Sequence, residues 1–137
     1  MRSSCQGEQR QVTQIVIQVG DEEFGGELIV EHSPRTAQAI LSALPIEATA
    51  MQWGDEIYFE ITVDMAPENA RSKVSKGDLG YWPEGNCFCI FYGKTPMSTS
   101  EAEIVPASPV NVIGRIENPD GLKKHSANEK VCVRLAP

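Results

Sequence analysis

The segment GDLGYWPEGNCFCIFYG, residues 77–93, decides the fold because it contains two strand-forming runs separated by a turn. Residues 79–82 predict a short strand, and the Pro, Gly and Asn of residues 83–86 are typical of a turn. Residues 87–92 are all apolar and predict a second strand.

Side chains alternate between the two faces of this apolar strand. One face carries Cys87, Cys89 and Phe91, and the other carries Phe88, Ile90 and Tyr92. The second set is bulkier and is the better candidate for the core. We therefore expect the two thiols on the outer side of the strand, where they face a groove or lie beneath a covering element.

Short alternating runs recur along the rest of the chain. Two of them, residues 12–19 and 24–31, are expected to pair as a hairpin, and the Gly25-Gly26 pair suggests a bulge or bend in the second. Further strands are predicted at residues 48–52, 56–63, 110–117 and 130–135, with turns at residues 54–55 and 118–121.

One helix is clear from the sequence. Ser33 can cap free backbone N–H groups, and Pro34 suits the first helical position. An apolar stripe follows at helical spacing, formed by Ala37, Ile40, Leu41 and Leu44, before Pro45 ends the helix. Residues 67–74 predict only a weak helical turn.

About eight strands predict a mainly β protein. We expect a closed eight-stranded antiparallel barrel with one clear helix and a second short helix, because closure removes unpaired strand edges. A two-sheet sandwich is the alternative.

Composition limits the function. The 137 residues carry a net charge of -7, which disfavours nucleic acid and anionic membrane surfaces as partners. No apolar run approaches the roughly 18 residues of a membrane span, and residues 1–11 lack the apolar core of a signal peptide. We expect a flexible polar tail over residues 1–11, one domain over residues 12–137, and a cytoplasmic location.

The sequence predicts neither a metal nor a cofactor. Cys5, Cys87, Cys89 and Cys132 form no CxxC pair, so reduced thiols are expected rather than a zinc site or a disulfide framework. No glycine-rich phosphate loop is present, which disfavours a nucleotide cofactor.

Three blocks of sequence carry a family resemblance. WGDEIYF (residues 53–59), GDLGYWPEGNCFCIFYGKTPMS (77–98) and VNVIGRI (110–116) resemble the small prokaryotic cyclophilin-like proteins of uncharacterised function. The hairpin that leads into SPRTA (33–37) also resembles the start of the first cyclophilin helix. The resemblance implies a cyclophilin-type eight-stranded barrel with helices covering its ends.

The same resemblance weakens at the catalytic positions. Prolyl isomerisation must lower a barrier of roughly 18–20 kcal/mol, and true cyclophilins use an arginine on the third barrel strand. The corresponding residues here, 56–61, include no Arg or His but do include Glu56 and Glu60, which only accept hydrogen bonds when ionised. An arginine could still reach the groove from another strand, so a divergent peptidyl-prolyl cis-trans isomerase stays as the alternative function.

We therefore predict a non-catalytic, groove-type binding module for a small apolar ligand or an extended peptide. The groove candidates are Tyr58, Tyr81, Trp82, Cys87, Cys89, Phe91 and Met97, with the loop of residues 94–109 as a further wall. Tyr81 and Trp82 are adjacent, so at most one of them can line a given groove.

Other interpretations of the same residues stay open. Glu56 and Glu60 share a strand face and could perform acid–base chemistry, although on an exposed barrel face they are merely solvated charges, which is the favoured interpretation. Exposed aromatic residues could instead serve an oligomer interface, and the sequence does not decide the oligomeric state.

Overall fold

The computed structural model describes residues 12–137, and the predicted polar tail lies outside the described residues. In this described part of the chain, alternating apolar residues place nine strands in one antiparallel sheet. They are β1 Val12–Val19, β2 Glu22–Ile29, β3 Ile46–Thr49, β4 Met51–Gln52, β5 Glu56–Glu60, β6 Asp78–Trp82, β7 Cys87–Phe91, β8 Asn111–Ile116 and β9 Lys130–Leu135.

The sheet curls into a nearly closed barrel. Its strand order is β3-β9-β1-β2-β8-β6-β7-β5-β4, so the two strands at its ends, β3 and β4, are consecutive in the chain. Only Ala50 separates them, and its backbone bonds to the segment before β9: Ala50 N donates to Glu129 O, and Asn128 N donates to Ala50 O, both at 2.8 Å. The prediction of eight strands is therefore wrong by one, because the predicted strand 48–52 changes partner at Ala50.

The first hairpin is confirmed, but of the bulge or bend predicted at Gly25-Gly26 the bulge is absent. The register between β1 and β2 is continuous, with Gly25 opposite Val16 and Gly26 opposite Ile15. A side chain at Gly26 would press on the backbone of Arg115, so this glycine permits a close strand approach. The irregularity of the sheet lies instead between Leu79 and Gly80, where β6 pairs with β8.

The barrel interior contains side chains that the sequence predicted for the core and others that it did not. Phe88, Ile90 and Tyr92 face inward as expected. Phe59 stacks on Phe88 with ring centroids 5.2 Å apart. Tyr81 is also fully buried inside the barrel, and its hydroxyl donates a hydrogen bond to Val63 O at 2.6 Å.

Within residues 12–137, two helices accompany the barrel. The helix α1 Pro34–Ala43 is confirmed, and Ala37 and Ile40 on it are fully buried. The second is a short 3₁₀ helix, Pro119–Lys124, in place of the turn predicted at residues 118–121. Residues 67–74 are not helical. No helix within residues 12–137 is long and apolar enough to cross a membrane.

The cap of α1 differs from the prediction. The Ser33 hydroxyl makes no bond to the first turn and instead donates to Glu68 O at 3.2 Å. The side chain of Glu68 caps the helix: its carboxylate accepts from Arg35 N at 3.0 Å and from Thr36 N at 2.9 Å. The predicted Ser33 cap is wrong because a carboxylate from a distant segment satisfies the same backbone groups.

Candidate functional site

A covering segment, residues 104–110, lies over the outer face of β7, and we call it the cover. Two backbone bridges tie it to the chain before β6: Arg71 pairs with Val110, and Val74 pairs with Ile104, through N–H···O bonds of 2.8–3.0 Å. Beneath it lies a second apolar cluster, which is separate from the barrel interior. The cluster contains Val74, Cys87, Cys89, Phe91, Ile104, Val110 and Val112. Of the two expected locations for the thiols, the structure therefore shows the covered one.

Between this cover and β5 a cavity of about 240 Å³ remains open to solvent. We call it the aromatic cavity. It is lined by Trp53, Glu56, Tyr58, Trp82, Pro106, Ala107 and Val110. Both tryptophans of the chain belong to this set.

Local structure explains how β5 supplies its share of the lining. Alternation sends Ile57 and Phe59 into the barrel core and leaves Glu56 and Tyr58 on the outer face. The turn before β5 passes through Gly54, which has a φ of +61°. Trp53 N donates to Glu56 O at 2.9 Å across this turn, which holds Trp53 beside the start of the strand.

The opposite wall comes from the end of β6 and from the cover. Trp82 lies on the outer face, and its indole Nε1–H donates to the hydroxyl of Ser108. This bond attaches Trp82 to the segment that contributes Pro106, Ala107 and Val110. The cavity is therefore shaped by a strand end and a loop that hold each other in place.

The Glu56 carboxyl group is the chemically distinctive feature of the aromatic cavity. Only 6% of the residue is exposed, and this burial raises its pKa to about 7, against a smaller lowering effect of a hydrogen bond with the Cys89 thiol. The favoured expectation that Glu56 is a solvated charge is therefore wrong, whereas Glu60, four residues farther along the chain on the same strand face, is exposed. No Lys, Arg or His is among the residues that line this cavity within residues 12–137.

The two thiols beneath the cover are poor nucleophiles. Burial, together with the nearby charges of Glu60 and Glu56, raises the pKa of Cys87 to about 11. Burial and the adjacent Glu56 also raise the pKa of Cys89 well above its ordinary value. Both thiols are thus protonated near neutral pH, and a protonated thiol neither attacks nor binds a metal. Within residues 12–137 no group of His, Cys, Asp and Glu residues is arranged to hold a metal ion.

The structure separates the seven predicted groove residues into four locations. Tyr58 and Trp82 line the aromatic cavity. Cys87, Cys89 and Phe91 lie in the cluster behind it, and Tyr81 belongs to the barrel core. Met97 is 53% exposed and lies outside the lining.

Trp53 is the site residue that sequence reasoning missed. It stands immediately before the Gly54-Asp55 turn, in the block WGDEIYF that carried the family resemblance. An aromatic residue at a strand-flanking turn was the available signal. The cover residues Pro106 and Ala107 belong to the loop that was predicted to wall the groove.

A larger depression lies on another side of the barrel. It has a volume of about 590 Å³ and runs along β1, β9 and β3, where it is lined by Gln18, Gly20, Glu47, Ala48, Thr49, Lys130, Val131 and Cys132. Its charged residues, Glu47 and Lys130, are exposed. It lacks the combination of aromatic rings and a buried ionisable group that distinguishes the aromatic cavity.

Comparison with known proteins agrees with the architecture. A family model described as "Cyclophilin-like" matches residues 13–134. The solution structure of the hypothetical protein AF2241 from Archaeoglobus fulgidus is similar at 45% sequence identity. The similarity covers 95% of this chain and 99% of that one, with a TM-score of 0.79. None of the curated proteins matches the chain.

Proposed function

We propose a binding function for this chain, which belongs to the cyclophilin-like family. The ligand is a small, largely apolar molecule held in the aromatic cavity, and the protein performs no chemical step on it. One observation carries the proposal: a buried carboxyl group and three aromatic side chains line the same cavity. Concave, mainly apolar sites with a few convergent polar groups are typical of ligand binding.

The size of the cavity favours a small molecule over an extended peptide. Its volume of about 240 Å³ is below the roughly 300–1,000 Å³ that is common for drug-sized ligands. The cover also occupies part of the outer barrel face, because its Ile104 and Val110 pack together with Val74 against the outward-facing side chains of β7. A peptide groove along this face would need that cover to move away.

The chemistry of the lining favours binding over proline isomerisation. An isomerase needs a hydrogen-bond donor near the prolyl nitrogen, and a cationic one reduces the double-bond character of the amide. The ionisable residues that β5 contributes to the aromatic cavity are Glu56 and Tyr58, and neither can carry the positive charge of such a donor. The nearby thiols are held protonated and supply no nucleophile.

We also propose a cytoplasmic location without nucleic acid or membrane partners. Cys87, Cys89 and Cys132 are unpaired, which is the usual state in a reducing compartment. The net charge of -7 repels phosphate groups.

The two tryptophans provide the test. Since both line the cavity, the two indole N–H signals in an NMR spectrum report on it directly. We expect some members of a panel of small neutral aromatic compounds, carboxylates and amines to shift these signals saturably. Binding should weaken in Tyr58→Ala and persist in Glu60→Ala, which alters an exposed residue on the same strand face outside the lining.

Two results would overturn the proposed function. One is a panel in which no compound of any class moves the indole signals at millimolar concentration. The other is accelerated isomerisation of an Xaa-Pro peptide that Tyr58→Ala abolishes, because that would assign catalysis to this cavity.

A further inference from the structure

The aromatic cavity combines the two features that recognise an organic cation. The first is its wall of Trp53, Tyr58 and Trp82. Aromatic rings attract a cation at their faces, with an energy of about 0.5–1 kcal/mol at exposed sites and about 2 kcal/mol or more when the cation is desolvated, and tryptophan is the best of them. A cavity built around both tryptophans of an acidic chain is suited to a positively charged group.

The second feature is the buried carboxyl group of Glu56. An ionised carboxylate that is taken out of water needs a counter-charge, since its desolvation is costly. The titratable groups that face Glu56 are Cys89 on β7 and Tyr58 on its own strand, and Cys87 lies close enough to be affected by its charge. None of these groups can become positive. The protein therefore places an acid in the cavity without a basic partner among the lining residues.

The remaining lining selects the kind of cation. Pro106, Ala107 and Val110 present mainly apolar atoms to the cavity. A primary ammonium group is strongly hydrated and would need several hydrogen-bond acceptors to replace its water. A methylated ammonium group is less strongly hydrated and can make apolar contacts on all sides.

We infer that the aromatic cavity binds a small alkylated ammonium ion, with the Glu56 carboxylate as its counter-charge and the Trp53, Tyr58 and Trp82 side chains as its walls. This inference rests on the proposed binding function and names its ligand class. The net charge of -7 acts in the same direction, because it raises the local concentration of cations around the protein.

Three probes of similar shape and different charge test the inference. They are tetramethylammonium, neutral tert-butanol and anionic pivalate, each titrated while the two indole N–H signals are followed. We expect tetramethylammonium to bind most tightly. Its affinity should be about tenfold higher at pH 8 than at pH 6, because a carboxyl group with a pKa of about 7 passes from about one tenth to about nine tenths ionised over that range.

Two variants test whether the charge of Glu56 itself is responsible for binding. Glu56→Gln keeps the size of the side chain, and we expect it to lose at least tenfold in affinity for tetramethylammonium at pH 8 and to lose the pH dependence. Glu60→Gln removes an exposed carboxylate from the same strand face and should retain both. If Glu56→Gln fails to fold, the pH dependence of tetramethylammonium binding to the unmodified protein still tests the role of the carboxylate.

The outcomes distinguish this inference from the proposed function. Preference for tert-butanol or pivalate, or tetramethylammonium binding that is equal at pH 6 and pH 8, would overturn the cation site and leave a binding function. A silent cavity, in which neither these probes nor the wider panel moves an indole signal, would overturn both.

Discussion

Glu68 accepts two hydrogen bonds from Thr36, one from the backbone N–H at 2.9 Å and one from the side-chain hydroxyl at 2.8 Å. Asn111 on β8 joins the same group, because its side-chain amide donates to Thr36 Oγ1 at 3.0 Å and its Oδ1 accepts from Glu68 N at 2.8 Å. The start of α1, the segment at residue 68 and the barrel wall are thus joined by one polar network.

We expect Glu68→Ala to lower the free energy of unfolding by about 1–2 kcal/mol, the usual effect of losing a helix cap. The substitution leaves the backbone N–H groups of Arg35 and Thr36 without their acceptor. Urea denaturation would measure the change. Glu84→Ala, which alters an exposed glutamate, should stay within about 0.5 kcal/mol of the unmodified protein. Equal effects of the two substitutions would contradict a capping role.

Cys87 and Cys89 should resist thiol reagents until the protein unfolds. A pKa raised from 9.0 to about 11 reduces the reactive thiolate of Cys87 about 100-fold at a given pH, and the cover also blocks access. In a Cys5→Ser variant, which removes the cysteine outside the described residues, we expect Cys132 to react with Ellman's reagent in the native protein. The other two thiols should react only in denaturant. Rapid native labelling of all three would show that the cover opens readily.

His125 ties two carboxylates together and should make stability depend on pH. Its Nε2 lies 2.8 Å from Glu22 Oε1, and its Nδ1 lies 2.8 Å from Glu129 Oε1. Burial lowers the pKa of His125, but the bonds to Glu129 and Glu22 outweigh this effect and raise it above 6.5. The same contacts lower the pKa of both glutamates below 4.5.

The directions of these pKa shifts define the pH range in which the contacts of His125 stabilise the protein. A raised histidine pKa contributes stability that is complete below pH 6.5 and is lost as the pH rises through the folded-state pKa. The lowered glutamate pKa values contribute stability above pH 4.5 that is lost on acidification. We therefore expect His125→Gln to destabilise the protein more at pH 5.5 than at pH 9, as measured by urea midpoints. An equal loss at both pH values would contradict an ionic role for the ring.

Much of the fold could be predicted from local patterns. Alternation in residues 87–92 correctly separated Phe88, Ile90 and Tyr92 from the face that carries the thiols, because a strand has a period of two wherever it occurs. The helix start at Pro34 and its end before Pro45 also follow from local backbone preferences.

The candidate site depended on contacts between distant segments and was therefore less predictable. Glu56 and Glu60 look equivalent in sequence, but in the folded chain Glu56 is buried at the aromatic cavity and Glu60 is exposed. Tyr81 and Trp82 are likewise similar in chemical character. Strand alternation places Tyr81 in the core and Trp82 at the cavity. Alternation predicted that the two side chains face opposite sides of the strand, but contacts with distant segments decide which side is the core.

The buried state of Glu56 should make the protein less stable as the pH rises. The folded-state pKa of Glu56, about 7, exceeds the ordinary value of 4.5. Its contribution to the free energy of unfolding is therefore complete below pH 4.5 and is lost between about pH 4.5 and 7. Glu56→Gln stays neutral and avoids this loss. Relative to the unmodified protein, we expect its free energy of unfolding to gain at most about 3 kcal/mol between pH 4 and pH 8, as measured by urea denaturation of both proteins at each pH.

Glu60→Gln, on the exposed part of the same face, should show no comparable gain. A difference between Glu56→Gln and the unmodified protein that does not change with pH would mean that water reaches Glu56 freely, and the buried acid in the aromatic cavity would no longer be supported.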